Sequence, residues 1–234
     1  MRNWVIEILV ISALVLSACA PSAPNRAQNQ IEIASNAFVL LPCSEHVVEV
    51  PCTLVIAGGK RILFGAPAGI TNEMRAEDLG QLDAVMLFSL RAMDTEGLDE
   101  VRNASWRAGR DAPLLVIGPI GVEDFVTALN KAYEQADALR IVDEGIPPGG
   151  FDAAILNARR AVSEQIIFNT GDLTVERLPS GYHIRYDARA SAYLLDCGEP
   201  APLADEETVL SVSCDGGSES QTWPLAKPVF VTEN

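Results

Sequence analysis

Short apolar runs, broken by glycines and polar turns, alternate along this chain with stretches of helical spacing, the pattern of a layered α/β domain. Phe38–Leu41 reads as a first strand. Thr53–Ala57 and Arg61–Ala66 are further apolar runs joined by a turn at Gly58-Gly59-Lys60, which predicts a hairpin. Leu82–Phe88 is almost continuously apolar and predicts a strand covered on both faces. After it, Asp94-Thr95-Glu96 offers capping side chains, so a helix is expected to begin there with its positive end near the strand tip. Leu98, Val101, Ser105 and Trp106 keep helical spacing up to Gly109. Leu114–Gly118 is the next strand, followed by a helix with Val122, Phe125, Val126, Leu129 and Tyr133 on one face. Leu139–Val142 predicts a short strand, Gly145–Gly150 a break, and Phe151–Val162 another helix. The second half is β-rich: hairpins over Gln165–Leu178 and Gly181–Asp196, then strands at Thr208–Ser213 and Pro228–Thr232.

The N-terminus departs from this pattern. Arg2 precedes an apolar run at Ile8–Leu16 that is too short to span a bilayer as an ordinary helix, and the run ends in Leu16-Ser17-Ala18-Cys19. Residues 1–18 therefore predict an export signal, and Cys19 resembles the lipidated first residue of a mature bacterial lipoprotein. Residues 19–33 predict a lipid-bearing Cys and a small, polar, Pro-containing tether. Ala20 lacks the aspartate that resembles an inner-membrane retention signal, which favours the outer membrane, facing the periplasm. The folded part is then expected over 34–200, with a short β-rich extension over 201–234.

Composition narrows the chemistry. A formal net charge of −15 in 234 residues opposes phosphate backbones, so a nucleic-acid partner is not expected. Only two histidines occur, His46 in a polar loop and His183 in an alternating strand, each read as a surface or edge-strand residue. Besides Cys19 there are Cys43, Cys52, Cys197 and Cys214, an even number that suggests two disulfides in an exported protein. Three pairings are possible, and the local ones, Cys43–Cys52 and Cys197–Cys214, are favoured. A zinc–thiolate site is the rival reading, disfavoured by the lack of C-x-x-C spacing.

The order LDAV-apolar-apolar, a six-residue turn and x-x-Gly-Leu over Leu82–Leu98 resembles the metallo-β-lactamase fold, in its ribonuclease Z-like branch of phosphodiesterases. So does the segment WRAGRDAPLLVIGPIGVEDFVTALNKAY, and the resemblance covers Phe38–Glu199. It implies an αββα sandwich, here shortened at the C-terminus. In that family the turn reads His-x-His-x-Asp-His and holds two zinc ions; here the turn is Ser89, Leu90, Arg91, Ala92, Met93 and Asp94. Gly65 stands where the family has an aspartate. Glu199 follows the last hairpin near the family's bridging aspartate, and the loop that would carry another histidine is shortened to Pro179-Ser180. The former ligand positions are thus Ser89, Arg91, Met93, Asp94 and Glu199, and a fixed positive charge at Arg91 is the opposite of what a divalent cation needs. No metal or other cofactor is expected. A candidate ligand pocket is bordered by Gly65, Ser89, Arg91, Asp94 and Glu199, with Arg91 its possible anion binder.

Two functions follow from the resemblance. One is a non-catalytic, lipid-anchored envelope protein, held to the membrane by its N-terminal lipid, that binds a protein partner or a small ligand. The alternative is a divergent hydrolase of the same superfamily, phosphodiesterase-like, with an unusual carboxylate or metal-free site; oxygen-only ligands would suit magnesium, calcium or manganese better than zinc.

Overall fold

The computed structural model describes residues 33–43, 50–72, 74–187, 190–197, 210–215 and 220–232. The chain divides into two units, Met1–Glu32 and Ile33–Asn234, of which the first lies outside the described residues, as do Cys19, His46 and Glu199.

Two sheets form the second unit. The first runs in the order β13 (Val229–Phe230), β1 (Phe38–Pro42), β2 (Thr53–Ala57), β3 (Lys60–Phe64), β4 (Ala84–Met86), β5 (Leu114–Gly118) and β6 (Leu156–Arg160). Its β13–β1–β2–β3 half is antiparallel, and β3–β4–β5–β6 are parallel. The second runs β12 (Ser220–Thr222), β11 (Leu210–Ser213), β10 (Ala190–Leu195), β9 (Gly181–Tyr186), β8 (Leu173–Leu178) and β7 (Gln165–Asn169). Strand periodicity sorts the side chains: Phe38, Val55, Ile62, Phe64, Ala84 and Met86 on one sheet pack against Val175, Tyr182, Ile184, Ala192 and Leu194 on the other. The opposite residues of the first sheet, among them Val39, Leu63, Val85 and Val116, pack under helices α3 (Leu98–Arg107) and α4 (Val122–Glu144). Each such large apolar side chain, buried fully, contributes roughly 1.5–3 kcal/mol. Among the described residues the helices lie on the first sheet's outer face. The expected mixed two-sheet fold is therefore present, with its helical cover seen on one side.

Several expectations are corrected. Leu139–Val142 is not a strand but part of α4, which runs unbroken to Glu144; Leu139 and Val142 are exposed, so their apolarity does not mark a buried strand. Gly145, at a φ of +85°, ends the helix. Phe151–Val162 is not a helix. A single 3-10 turn at Asp152–Ala154 leads into β6, which pairs in parallel with β5 as an edge strand. Parallel pairing next to β5 overrides the weak helical spacing of that stretch. His183 is neither at an edge nor at the surface: β9 is flanked by β8 and β10, and the buried imidazole stacks on Tyr193 at 4.2 Å. The segment after residue 200 adds β11 and β12 to one sheet and β13 to the other. Both local disulfides are present, with Cα–Cα distances of 5.7 Å for Cys43–Cys52 and 5.2 Å for Cys197–Cys214.

Two buried ion clusters fix the helices. Asp78, on the short helix α1 (Ala76–Gly80), receives Arg61 Nε at 2.8 Å and Arg75 Nε at 2.7 Å. Burial pushes its carboxyl up, but the bonds from Arg75 and Arg61 prevail and hold it below the usual carboxylate range. Between α3 and α4, Arg102 grips Asp137 with both terminal nitrogens and lies over the Tyr133 ring at 4.9 Å.

Candidate functional site

The parallel strands set the site, because the loop that leaves the C-terminal end of β4 is free to present side chains beside the second sheet. Leu87 and Phe88 are buried, Ser89 is half-buried, and the apolar run ends there. The carbonyls of Leu87 and Phe88 are held from the second sheet. The Tyr182 hydroxyl donates to Leu87 O at 2.6 Å, and Arg177 Nη2 donates to Phe88 O at 3.3 Å while its guanidinium lies over the Tyr182 ring. Burial pushes the Tyr182 phenol well above its ordinary value; Arg177 opposes that rise, and Asp196 and Asp94 add to it. The phenol is thus a permanent donor, and it pins the strand tip to β9.

The expected capping role of Asp94 does not materialise. The short helix α2 (Ala92–Thr95) has Arg91 at its N-cap and α3 has Gly97, and neither helix has a side-chain cap bond. Asp94 turns back instead. Its Oδ2 accepts the Ser89 hydroxyl proton and is 3.4 Å from Arg91 Nε, while its Oδ1 is buried and has no hydrogen-bond partner. Close approach requires glycine at Gly97, where a Cβ would stand 2.1 Å from the Pro67 carbonyl oxygen. The Gly97 N–H donates to Ala66 O at 2.8 Å, and the Ala66 N–H donates to Asp94 O at 3.0 Å. This backbone ladder leaves the Asp94 side chain fully buried.

Arg91 ties the loop to the second sheet. Its amide and its Nε each donate to Ser89 Oγ at 3.0 Å, and its Nη2 reaches both carboxylate oxygens of Asp196 at 3.1 Å. Ser89, Arg91 and Asp94 of the expected pocket therefore converge. Gly65 lies beside them through its backbone only, donating to Met86 O at 2.8 Å; its φ is +74° and a Cβ there would meet Pro51 O at 2.2 Å, so no side chain fits. Met93 is exposed and makes none of these contacts, and Glu199 lies outside the described residues. Asp196 was missed by the sequence reading. Its signal was a carboxylate directly after the apolar strand Ala190–Leu195, one residue before Cys197.

Among the described residues the donor set does not fit a two-zinc centre. Among the described residues no three His, Cys, Asp or Glu side chains cluster as metal ligands, and His183 is committed to its stack with Tyr193. The space between Asp94 and Asp196 holds a guanidinium, which supplies fixed positive charge where a cation would need acceptors. The group instead pairs a hydroxyl with a buried carboxylate beside a half-exposed arginine, the makings of an activated serine next to an anion-binding charge.

The two-sheet architecture and its strand order define a protein of the metallo-β-lactamase fold. Solved structures of that fold are similar along most of the chain. They include the metallo-β-lactamase fold protein YhfI of Bacillus subtilis (13% identity, 76% of this chain and 71% of that one, TM-score 0.50) and human tRNase Z, short form (10%, 84% and 100%, TM-score 0.57). A diphosphatase of the PhnP family is similar as well (13%, 82% and 96%, TM-score 0.51). Among curated proteins, ribonuclease Z of Mycobacterium marinum is 29% identical over 175 residues, which are 67% of this chain; the chain spans 59% of that relative's length. No family model matches the sequence. These findings correct the expectation of a non-catalytic protein: the proteins this chain resembles include a ribonuclease, a tRNase and a diphosphatase, and they favour the hydrolase alternative.

Proposed function

We propose that the chain is a hydrolase of small phosphodiesters that works without the two-zinc centre, using Ser89 as nucleophile and Asp94 as base. The observation that carries this reading is the Ser89–Asp94 hydrogen bond at the end of β4, with Arg91 on the same hydroxyl. Ser89 Oγ bonds to phosphorus while its proton passes to Asp94, and the ester bond to the leaving alcohol breaks; the alcohol takes that proton from Asp94, which returns to the carboxylate. Water then attacks phosphorus in the seryl ester and gives its proton to Asp94; the bond from phosphorus to Ser89 Oγ breaks, Oγ takes that proton back from Asp94, and the phosphomonoester leaves. Arg91 stabilises the charge that gathers on the phosphoryl oxygens. The relatives' names supply the reaction class. A net charge of −15 argues for a small diester over a nucleic acid.

The test is hydrolysis of bis(p-nitrophenyl) phosphate by the full chain, with and without chelator. Turnover indifferent to chelator, and about 10²–10⁴-fold lower in Ser89→Ala, is expected. Turnover abolished by chelator, or unchanged in Ser89→Ala, refutes the reading.

We also propose that Cys19 carries a lipid and holds the protein in the bacterial envelope, a reading supported by the apolar run and the small residues before that cysteine. Radiolabelled palmitate should enter the wild type and not Cys19→Ser; equal labelling of the two would refute it.

A further inference from the structure

Asp196 has two properties that fit poorly with a permanent structural role. It faces Arg91 with both carboxylate oxygens, as a bound phosphate would, and the pair is open: the side chains are 54% exposed for Arg91 and 18% for Asp196. An ion pair whose arginine is more than half in solvent contributes little, on the order of 0–1 kcal/mol, so an arriving anion can displace its carboxylate at small cost. Asp196 also keeps a second partner, because its Oδ1 accepts the backbone N–H of Cys197 at 2.8 Å. Its neighbour Cys197 is tied to Cys214, and its own N–H donates to Ser180 O at 2.7 Å, so the backbone under the carboxylate is anchored while the side chain can turn.

From this we infer that Asp196 is an internal stand-in for the substrate's anion: it occupies Arg91 in the empty site and yields the guanidinium to a phosphate group when one binds. Arginine suits this exchange because its planar fork matches carboxylate and phosphate oxygens alike. The Arg91 amide stays on Ser89 Oγ during the exchange while Nε and Nη2 turn to the phosphate as a fork, so the phosphate arrives beside the hydroxyl and one Oγ lone pair is freed for attack. Asp94 cannot serve as the stand-in, being wholly buried and committed to Ser89. The exchange sets a threshold: weak anions meet a charge that is already satisfied, and only a group that competes with a carboxylate enters. This inference deepens the hydrolase reading and names the same site, so its test is read by binding alone.

The measurement is calorimetric titration of the full chain with inorganic phosphate at constant ionic strength. Removing the competing charge in Asp196→Asn should tighten phosphate binding by about 5–10-fold, and Arg91→Gln should weaken it by at least about 10-fold. Asp196→Ser gives the same order by a second route should the asparagine variant fail to fold. Phosphate binding that is unchanged or weaker in the folded Asp196 variant, or unchanged in Arg91→Gln, overturns the exchange. If binding follows the expected order while no variant hydrolyses a diester, the exchange stands and the hydrolase reading falls. If the wild type hydrolyses a diester but Asp196 variants bind phosphate no tighter, the reverse holds.

Discussion

Two arginine–carboxylate pairs of this protein are chemically alike and physically opposite. Arg102 and Asp137, between α3 and α4, expose 2% and 4% of their side chains; Arg91 and Asp196, at the end of β4, expose 54% and 18%. In the first, Asn103, the Tyr133 ring and two helices surround the guanidinium, so neither ion has an alternative to its partner. In the second, Arg91 lies open to solvent and Asp196 holds the Cys197 amide as well as the guanidinium, so the carboxylate keeps a partner when the arginine leaves. Burial therefore decides what a salt bridge is for. A closed pair fixes helices because breaking it strands a charge in low dielectric, and an open pair can exchange because its arginine returns to water and its carboxylate keeps the Cys197 amide.

That contrast is open to direct attack. Asp137→Ala should destabilise the fold by about 3–5 kcal/mol in urea denaturation, since Arg102 is left charged and buried; a loss below 1 kcal/mol would mean the closed pair is not closed. Ser89→Ala comes next in size on the functional side, lowering diester hydrolysis by about 10²–10⁴-fold. It should cost only about 1–3 kcal/mol of stability, the penalty for a buried Asp94 carboxylate without its donor. Asp78→Asn should cost about 2 kcal/mol at neutral pH. Because the folded carboxyl lies below its unfolded value of about 3.9, that stabilisation is full above this pH and fades as pH falls through the folded value. Wild type and Asp78→Asn should thus converge in melting temperature in acid, and a difference constant down to pH 2 would contradict the assignment. Asp196→Asn is the smallest in stability, within about 1 kcal/mol of wild type, while tightening phosphate binding; a large loss of stability would place the Arg91–Asp196 pair with Arg102–Asp137 after all.

The elements with strong local signals were legible in the chain. Thr53–Ala57 and Lys60–Phe64 close on Gly58 and Gly59, and the hairpins of β7–β8 and β9–β10 turn where the polar residues stand. These depend on neighbours in sequence, and local chemistry decides them. Leu139–Val142 and Phe151–Val162 went the other way. Three apolar residues around Arg140 at the end of a long helix look like a strand until their exposure is known, and β6 exists because β5 offers a parallel partner.

The site divides along the same line. The sequence by itself determined that Ser89, Arg91 and Asp94 stand in the turn after the apolar run of β4, where the family it resembles is expected to carry histidines. Of the three possible disulfide pairings it favoured the local one, because short loops bring their own ends together, and that pairing is present in the structure. Only the tertiary structure decided that Asp94 serves a serine instead of capping a helix, since the choice depends on how closely Gly97 lets the backbone pass Pro67. Only the tertiary structure brought in Asp196, 105 residues away from Arg91, because the two meet where the second sheet packs over the tip of β4. Which charges are closed and which are open is likewise a property of packing: it depends on the water that surrounding elements exclude, and no residue carries that information in its own identity.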